Sequence, residues 1–191
     1  LPICAPVREH VAVLSVQQAP GGGYAVSTSA GAMTADQVVV AVGGYHVPSI
    51  PRLAERVPET ITQIHSSRYR SAAALPPGGV LVVGTGQSGA QIAEDLHLEG
   101  RQVHLVAGSA PRVARFYRGR DCVAWLQDMG VYDVSISEHA GGLSKRESTN
   151  HYVTGRDGGR DIDLRAFALD GMRLYGRLTD VGSDGVVRFA P

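Results

Sequence analysis

The chain has 191 residues, enough for one domain of ordinary size with a substantial core, or a domain plus further pieces. Its 18 basic and 18 acidic residues cancel, which excludes a strong overall field for nucleic acid or an anionic membrane surface. Hydrophobic content of 43% with 24 glycines, and no run near the roughly 18 apolar residues of a membrane span, fits a soluble, turn-rich α/β protein.

The opening Leu1-Pro2-Ile3-Cys4 has no initiator Met and no signal-peptide pattern, and it reads like a cut end. Cys4 and Cys122 are far apart and form no Cys-x-x-Cys, so they predict neither a metal site nor a redox pair and fit a reducing cytoplasm. Residues 11–16 and 24–28 are expected strands, joined by a turn through Pro20 and the glycines at 21–23. A second turn near Ala30-Gly31 leads to residues 37–42, a run apolar enough for a strand buried on both faces. Val42-Gly43-Gly44-Tyr45 and Pro48-x-x-Pro51 then form a turn stiffened by proline. Residues 61–65 are a short strand candidate ending in His65.

The central stretch is 79–96. An apolar run of strand length enters Gly84-Thr85-Gly86-Gln87-Ser88-Gly89, and a helix-like pattern follows with Ile92 and Leu96 at i and i+4. Gly100 stops that helix, and residues 103–106 form the next strand. This β-turn-helix-β context gives a Gly-x-Gly-x-x-Gly meaning as a dinucleotide fingerprint. Gly84 permits the turn, Gly86 lets backbone approach a pyrophosphate, and Gly89 lets helix and strand pack closely. The unpaired amides and the positive end of the helix dipole then face the phosphates.

Cofactor choice is read after the second strand. An NAD site places a carboxylate about 20 residues on, but this zone is Ala107-Gly108-Ser109-Ala110. Arginines follow it, with five arginines and no acid between 101 and 120. Guanidinium groups suit the 2′-phosphate of NADP, so Arg112 and Arg115 are the first candidates, with Ser109 as a hydroxyl donor. The alternative is a basic loop contacting an acidic neighbour. Residues 121–129 are an expected helix, with Trp125 in the core; 131–150 lack a period and read as a loop or insertion. Residues 161–170 are a capped helix closed by Gly171, with Asp161 and Asp163 as caps. Residues 178–181 and 186–189 form a final hairpin.

Taken together, Val38 to Tyr45, Pro48-x-x-Pro51, His65-Ser66-Ser67-x-Tyr69 and the Gly84 fingerprint resemble the flavin-containing monooxygenase superfamily, in particular its bacterial FAD- and NADP-dependent branch related to Baeyer–Villiger enzymes. The similarity covers roughly 35–130, and Gly155-Arg156-Asp157-Gly158-Gly159 also looks like that branch. Such proteins have two dinucleotide domains. The resemblance matches this fingerprint to the NADPH one and implies an FAD fingerprint upstream of residue 1. The fold implied is α/β, a Rossmann-like parallel sheet flanked by antiparallel β segments of an incomplete FAD domain. Its expected divisions are 1–50, 51–175 with an insertion near 131–150, and 176–191. The cofactors implied are NADP and, in the full-length protein, FAD. Gly84, Thr85, Gly86, Gln87, Ser88, Gly89, Ser109, Arg112, Arg115, Val42 and Gly43 are the binding residues. Partners implied are the missing FAD-domain segments of the same polypeptide, with a homodimer also open; no nucleic acid, membrane or metal is expected. The parent reaction implied is NADPH-driven reduction of FAD, which in oxygenating members then activates O2. The isolated chain is expected to be inactive and to hold no stable FAD. The alternatives are a non-oxygenating NADPH:flavin reductase and a dinucleotide-binding module without turnover.

Two departures bear on this. The family's Phe-x-Gly-x-x-x-His has Glu59 and Ile61 at its Phe and Gly positions, which leaves the NADPH reading intact and weakens the case for oxygenation. The alanine-threonine-glycine motif is Ala41-Val42-Gly43, without the threonine hydroxyl.

Overall fold

The computed structural model of the chain describes residues 7–43, 45, 47–148 and 150–190. Cys4, Gly44 and His46 lie outside the described residues. The chain falls into two compact units, Leu1–Val47 and Pro48–Pro191.

The first unit is an antiparallel meander of β1 (Val13–Gln18), β2 (Tyr24–Thr28) and β3 (Gly31–Ala35). β1 starts and ends two residues later than its pattern predicts, and its register shifts between Val13 and Ser15. β3 has little intrinsic strand preference and is not visible in the composition. It forms because the Thr28 hydroxyl donates to the Gly31 carbonyl (2.7 Å) and accepts from the Ala30 amide (3.1 Å), closing a turn that returns the chain onto β2. The expected strand at 37–42 is absent. Val39 and Val40 stand 86% and 77% exposed. A strand apolar on both faces needs neighbours on its edges, and no described residue pairs with this one.

In the second unit, single helical turns occupy Arg52–Arg56, Ser66–Arg68 and Ala72–Ala74. The short strand expected at 61–65 is instead coil. His65 ends it as the cap of the second turn, its Nδ1 accepting from the Ser67 amide at 3.2 Å. A local side-chain cap competes here with strand formation.

The core element is a parallel sheet. β4 (Val80–Val83) runs into α1 (Gln87–Leu98), which returns the chain to β5 (Val103–Val106) beside β4. A two-residue ladder follows: β6 (Phe116–Tyr117) and β7 (Arg120–Asp121) form a hairpin that enters α2 (Cys122–Asp128). Asp121 caps α2 through the Val123 amide at 2.8 Å. Trp125 is half-buried rather than in the core; its indole donates to the Tyr117 carbonyl at 3.1 Å. Residues 131–148 are turns and coil with a helical turn at Gly142–Glu147.

α3 (Leu164–Leu169) begins at the cap Asp163 and leads to β8 (Arg173–Tyr175), which joins β5 in parallel. β9 (Leu178–Val181) and β10 (Val187–Phe189) make the expected hairpin. One face of β4 and β5 packs on α1: Val82, Val103 and Leu105 meet Ala93 and Leu96, with Met172 and Ala72 closing the core. The fold is thus mixed α/β, with a parallel three-stranded sheet and separate antiparallel strands.

Candidate functional site

The site grows from the end of β4. Gly84 takes φ +102, a left-handed conformation that only glycine holds without strain, and its amide bonds the Val106 carbonyl at the end of β5 (3.0 Å). The chain then turns across the carboxyl ends of the two strands. Gly86 is the helix cap with ordinary extended angles, and the first intrahelical bond runs from the Ala90 amide to the Gly86 carbonyl at 2.9 Å. The amides of Gln87, Ser88 and Gly89 precede that bond and have no helix carbonyl to donate to. Gly89 packs so tightly that an added Cβ would overlap the Gly84 carbonyl oxygen and lie 3.0 Å from its carbon. The three glycines therefore act through turn, cap and close approach.

Thr85 and Gln87 are fixed by other parts of the chain. Thr85 is 4% exposed, and its hydroxyl accepts from the Gly108 amide at 2.9 Å, tying the turn to the segment after β5. The Gln87 amide grips the backbone of Val153 from both sides: its oxygen accepts from the Val153 N–H at 2.9 Å and its nitrogen donates to the Val153 carbonyl. Gln91, one turn on, donates to the same carbonyl at 3.1 Å. What Gln87 has left to offer a ligand is its main-chain amide. Ser88 and Ser109 are exposed.

The predicted arginines are already paired. Arg112 Nη2 lies 3.6 Å from Asp161 and 3.5 Å from Asp163. Arg115 Nη2 lies 2.6 Å from Asp121, and its main-chain amide donates to Asp161 Oδ1 at 2.8 Å. The acidic neighbours required by the alternative reading of this loop are present. Arg101 serves the chain itself, donating to the carbonyls of Ala72, Pro76 and Gly78. Val42 and Gly43 belong to the first unit; Val42 is exposed and Gly43 has φ +70.

A cleft of about 480 Å³ runs along α1 from its first turn, bounded by Ser88, Gln91, Asp95, Ser66, Tyr69 and Arg156. Helical spacing alone did not reveal its polar wall. Glu94, 1% exposed, lies 2.8 Å from Arg160 Nη2 and 3.6 Å from Arg156 Nε, while Asp95 pairs with Arg156 and accepts from the Tyr69 hydroxyl at 2.6 Å. The Glu94–Arg160 approach is too bent for an ideal hydrogen bond, but at 2.8 Å the charges are in direct contact. Burial, and then the bond to Asp95, push the Tyr69 phenol well above its usual range. Asp121 and Asp163 are held below the usual carboxylate range, Asp121 chiefly by the Val123 amide and then by Arg115, Asp163 by the Arg165 and Ala166 amides and then by Arg112. Arg156 and Arg160 are 62 and 66 positions from Glu94, so only the fold brings the three together. No metal-binding cluster occurs among the described residues, and no described helix is long and apolar enough to cross a membrane.

Comparison with known proteins gives this geometry a family. Residues 3–127 match the pyridine nucleotide-disulphide oxidoreductase family. An uncharacterized CzcO-like oxidoreductase of Geobacillus kaustophilus is 35% identical over 144 residues, 75% of this chain and 41% of the relative. An uncharacterized oxidoreductase CzcO of Bacillus velezensis is 35% identical over 131 residues, 68% of this chain and 37% of the relative. The flavin-containing monooxygenase iboF of Amanita muscaria is 38% identical over 76 residues, 37% of this chain and 14% of the relative. The chain therefore spans about two-fifths of the length of its first two relatives. The sequence resemblance to FAD- and NADP-dependent flavoproteins and the match over residues 3–127 converge: the chain belongs to the pyridine nucleotide-disulphide oxidoreductase family, on its flavin-monooxygenase-like side.

Proposed function

We propose that this chain supplies the nicotinamide-dinucleotide site of an FAD-dependent oxidoreductase, with a Rossmann-like β4–α1–β5 unit binding NADPH. The observation that carries this reading is the row of unbonded amides at Gln87, Ser88 and Gly89, presented at the carboxyl end of a parallel sheet. The residues fit a pyrophosphate. Gly84 and Gly86 put no side chain over those amides, and the helix dipole favours negative charge there. Thr85 and Gln87 hold the turn in shape through Gly108 and Val153. Ser109, Arg112 and Arg115 lie on the segment that follows β5, where the adenosine end of such a cofactor binds, and the arginines' charge and the serine hydroxyl suit a 2′-phosphate. NADPH, when bound, supplies a hydride to the flavin; the chemistry is the cofactors' own, and the chain positions them.

Glu59 and Ile61, at positions where oxygenating members carry Phe and Gly, support the second reading, a reductase that does not oxygenate. Cys122 is buried and the chain contains no Cys-x-x-Cys, so these residues supply no redox pair for disulfide reduction.

Calorimetry with NADP and NAD tests the site. Gly86 has φ −65, which valine also adopts, so Gly86→Val fills space near the amides without forcing the backbone. Binding is expected to disappear while the thermal transition persists. Unchanged affinity in a folded Gly86→Val protein would make the fingerprint structural only. Arg112→Ala should weaken NADP by about ten- to a hundredfold with little effect on NAD, whereas Arg115→Ala, which breaks the close pair with Asp121, separates a structural role from phosphate reading by its effect on thermal stability.

A further inference from the structure

We infer that Asp161 and Asp163 set the cofactor preference of this site by holding Arg112, so that a 2′-phosphate must displace them to be read. The inference rests on the dinucleotide reading above and names the groups that regulate it.

Each carboxylate divides its two oxygens between separate tasks. Asp161 Oδ1 accepts from the Arg115 amide at 2.8 Å, and Asp163 Oδ1 accepts from the Arg165 amide at 3.0 Å as the cap of α3. Their Oδ2 atoms both face Arg112 Nη2, at 3.6 and 3.5 Å. Those distances are longer than a charge-assisted hydrogen bond, and the Arg112 side chain is 40% exposed. Arg112 is thus neutralised by two loose contacts and accessible from solvent.

Arg115 is different. Its Nη2 meets Asp121 at 2.6 Å, and its Nε is buried without a partner. Moving it would break a close pair that also braces the start of α2. Of the two arginines, Arg112 is the one that can change partners.

Its backbone already reaches the nucleotide turn. Arg112 bridges Tyr152 in parallel, and the next residue, Val153, is gripped by Gln87 at the start of α1. Tyr152 and Ile162 pack on Ala90, with Ala110 and Leu164 beside them. Segments 110–112, 152–153 and 161–164 and the first turns of α1 form one packed body. A dianionic phosphate entering this body meets one loosely held guanidinium and two carboxylates that already share it.

Asparagine separates the charge from the structure. Asp161→Asn and Asp163→Asn keep Oδ1 as an acceptor, and asparagine is a good helix cap. The experiment measures NADP and NAD dissociation constants for the 191-residue chain, each Asn variant, Arg112→Ala, and the Asn variants combined with Arg112→Ala. Each Asn variant is expected to tighten NADP about two- to fivefold and to leave NAD unchanged. In the Arg112→Ala background that gain should vanish, because no guanidinium is left to release. A gain of equal size in that background would mean that the acids simply repel the phosphate, and would overturn the inference. So would unchanged NADP affinity in both Asn variants while Arg112→Ala still weakens NADP, an outcome that leaves the dinucleotide reading standing. If Arg112→Ala changes neither cofactor, Arg112 does not read the phosphate and the inference falls with that assignment.

Discussion

The Glu94 carboxylate, 1% exposed, faces the Arg160 guanidinium at 2.8 Å, so a charge on the inner flank of α1 is answered by one from the loop ahead of α3. Arg160 is 30% exposed and stacks over Phe167 at 5.9 Å, whereas Glu94 is almost wholly buried. The two partners are therefore not equivalent. Arg160→Met strands a buried carboxylate, with only Arg156 Nε at 3.6 Å to answer it, and should cost about 2–4 kcal/mol. Glu94→Gln frees guanidiniums that can turn to solvent and should cost less. Urea denaturation of both variants checks the order, and equal losses would show that the pair acts as packing alone.

A Cβ at Gly89 has no room beside the Gly84 carbonyl. Gly89→Ala must push α1 away from β4 and should destabilise by about 1–3 kcal/mol, with loss of dinucleotide binding from the displaced amides. Alanine favours helix over glycine by up to about 1 kcal/mol, so a stabilised variant would show that helix and turn do not meet as described. Chemical denaturation and calorimetry on one preparation distinguish the outcomes.

Thr85→Val keeps the side-chain shape and removes the acceptor of the Gly108 amide. Losing that bond at a residue open to solvent should cost about 0.5–1.5 kcal/mol, while Thr85→Ser should retain most of the stability. If hydrogen exchange at Gly108 is the same in all three proteins, the tie between the turn and β5 is not holding that amide.

The Tyr69 phenol gives a pH signature. Its folded value is raised above the unfolded value of about 10, so its contribution is full below pH 10 and is lost as pH rises further. Tyr69→Phe should lose its bond to Asp95 at neutral pH, about 1 kcal/mol, and show a shallower decline above pH 10. Urea midpoints at pH 8 and pH 10.5 provide the comparison. A parallel decline in both proteins would refute the role of the phenol.

The nucleotide turn was legible because its constraints are local. Gly84, Gly86 and Gly89 lie within six residues, and β4, α1 and β5 follow each other without interruption. The cap Asp163 was readable for the same reason, but Asp161, expected beside it as a cap, lies ahead of α3 and accepts from the Arg115 amide instead. Glu94 was not: its spacing permits a solvated flank, and its partners lie far along the chain. Arg112 and Arg115 were located as a charged segment, but their carboxylates come from other elements. Residues 37–42 failed in the opposite way, since strand propensity cannot supply a neighbour.

The sheet also fixes an order of assembly. β4, α1 and β5 close within one short stretch of chain, but β8 joins β5 only after everything from Val106 to Arg173 has been traversed. Closing that loop costs chain entropy that local pairing avoids. In refolding, amides of Val82 and Leu105 should gain protection before that of Tyr175, and a peptide-bond cut between 131 and 140 should slow the last step far more than the first.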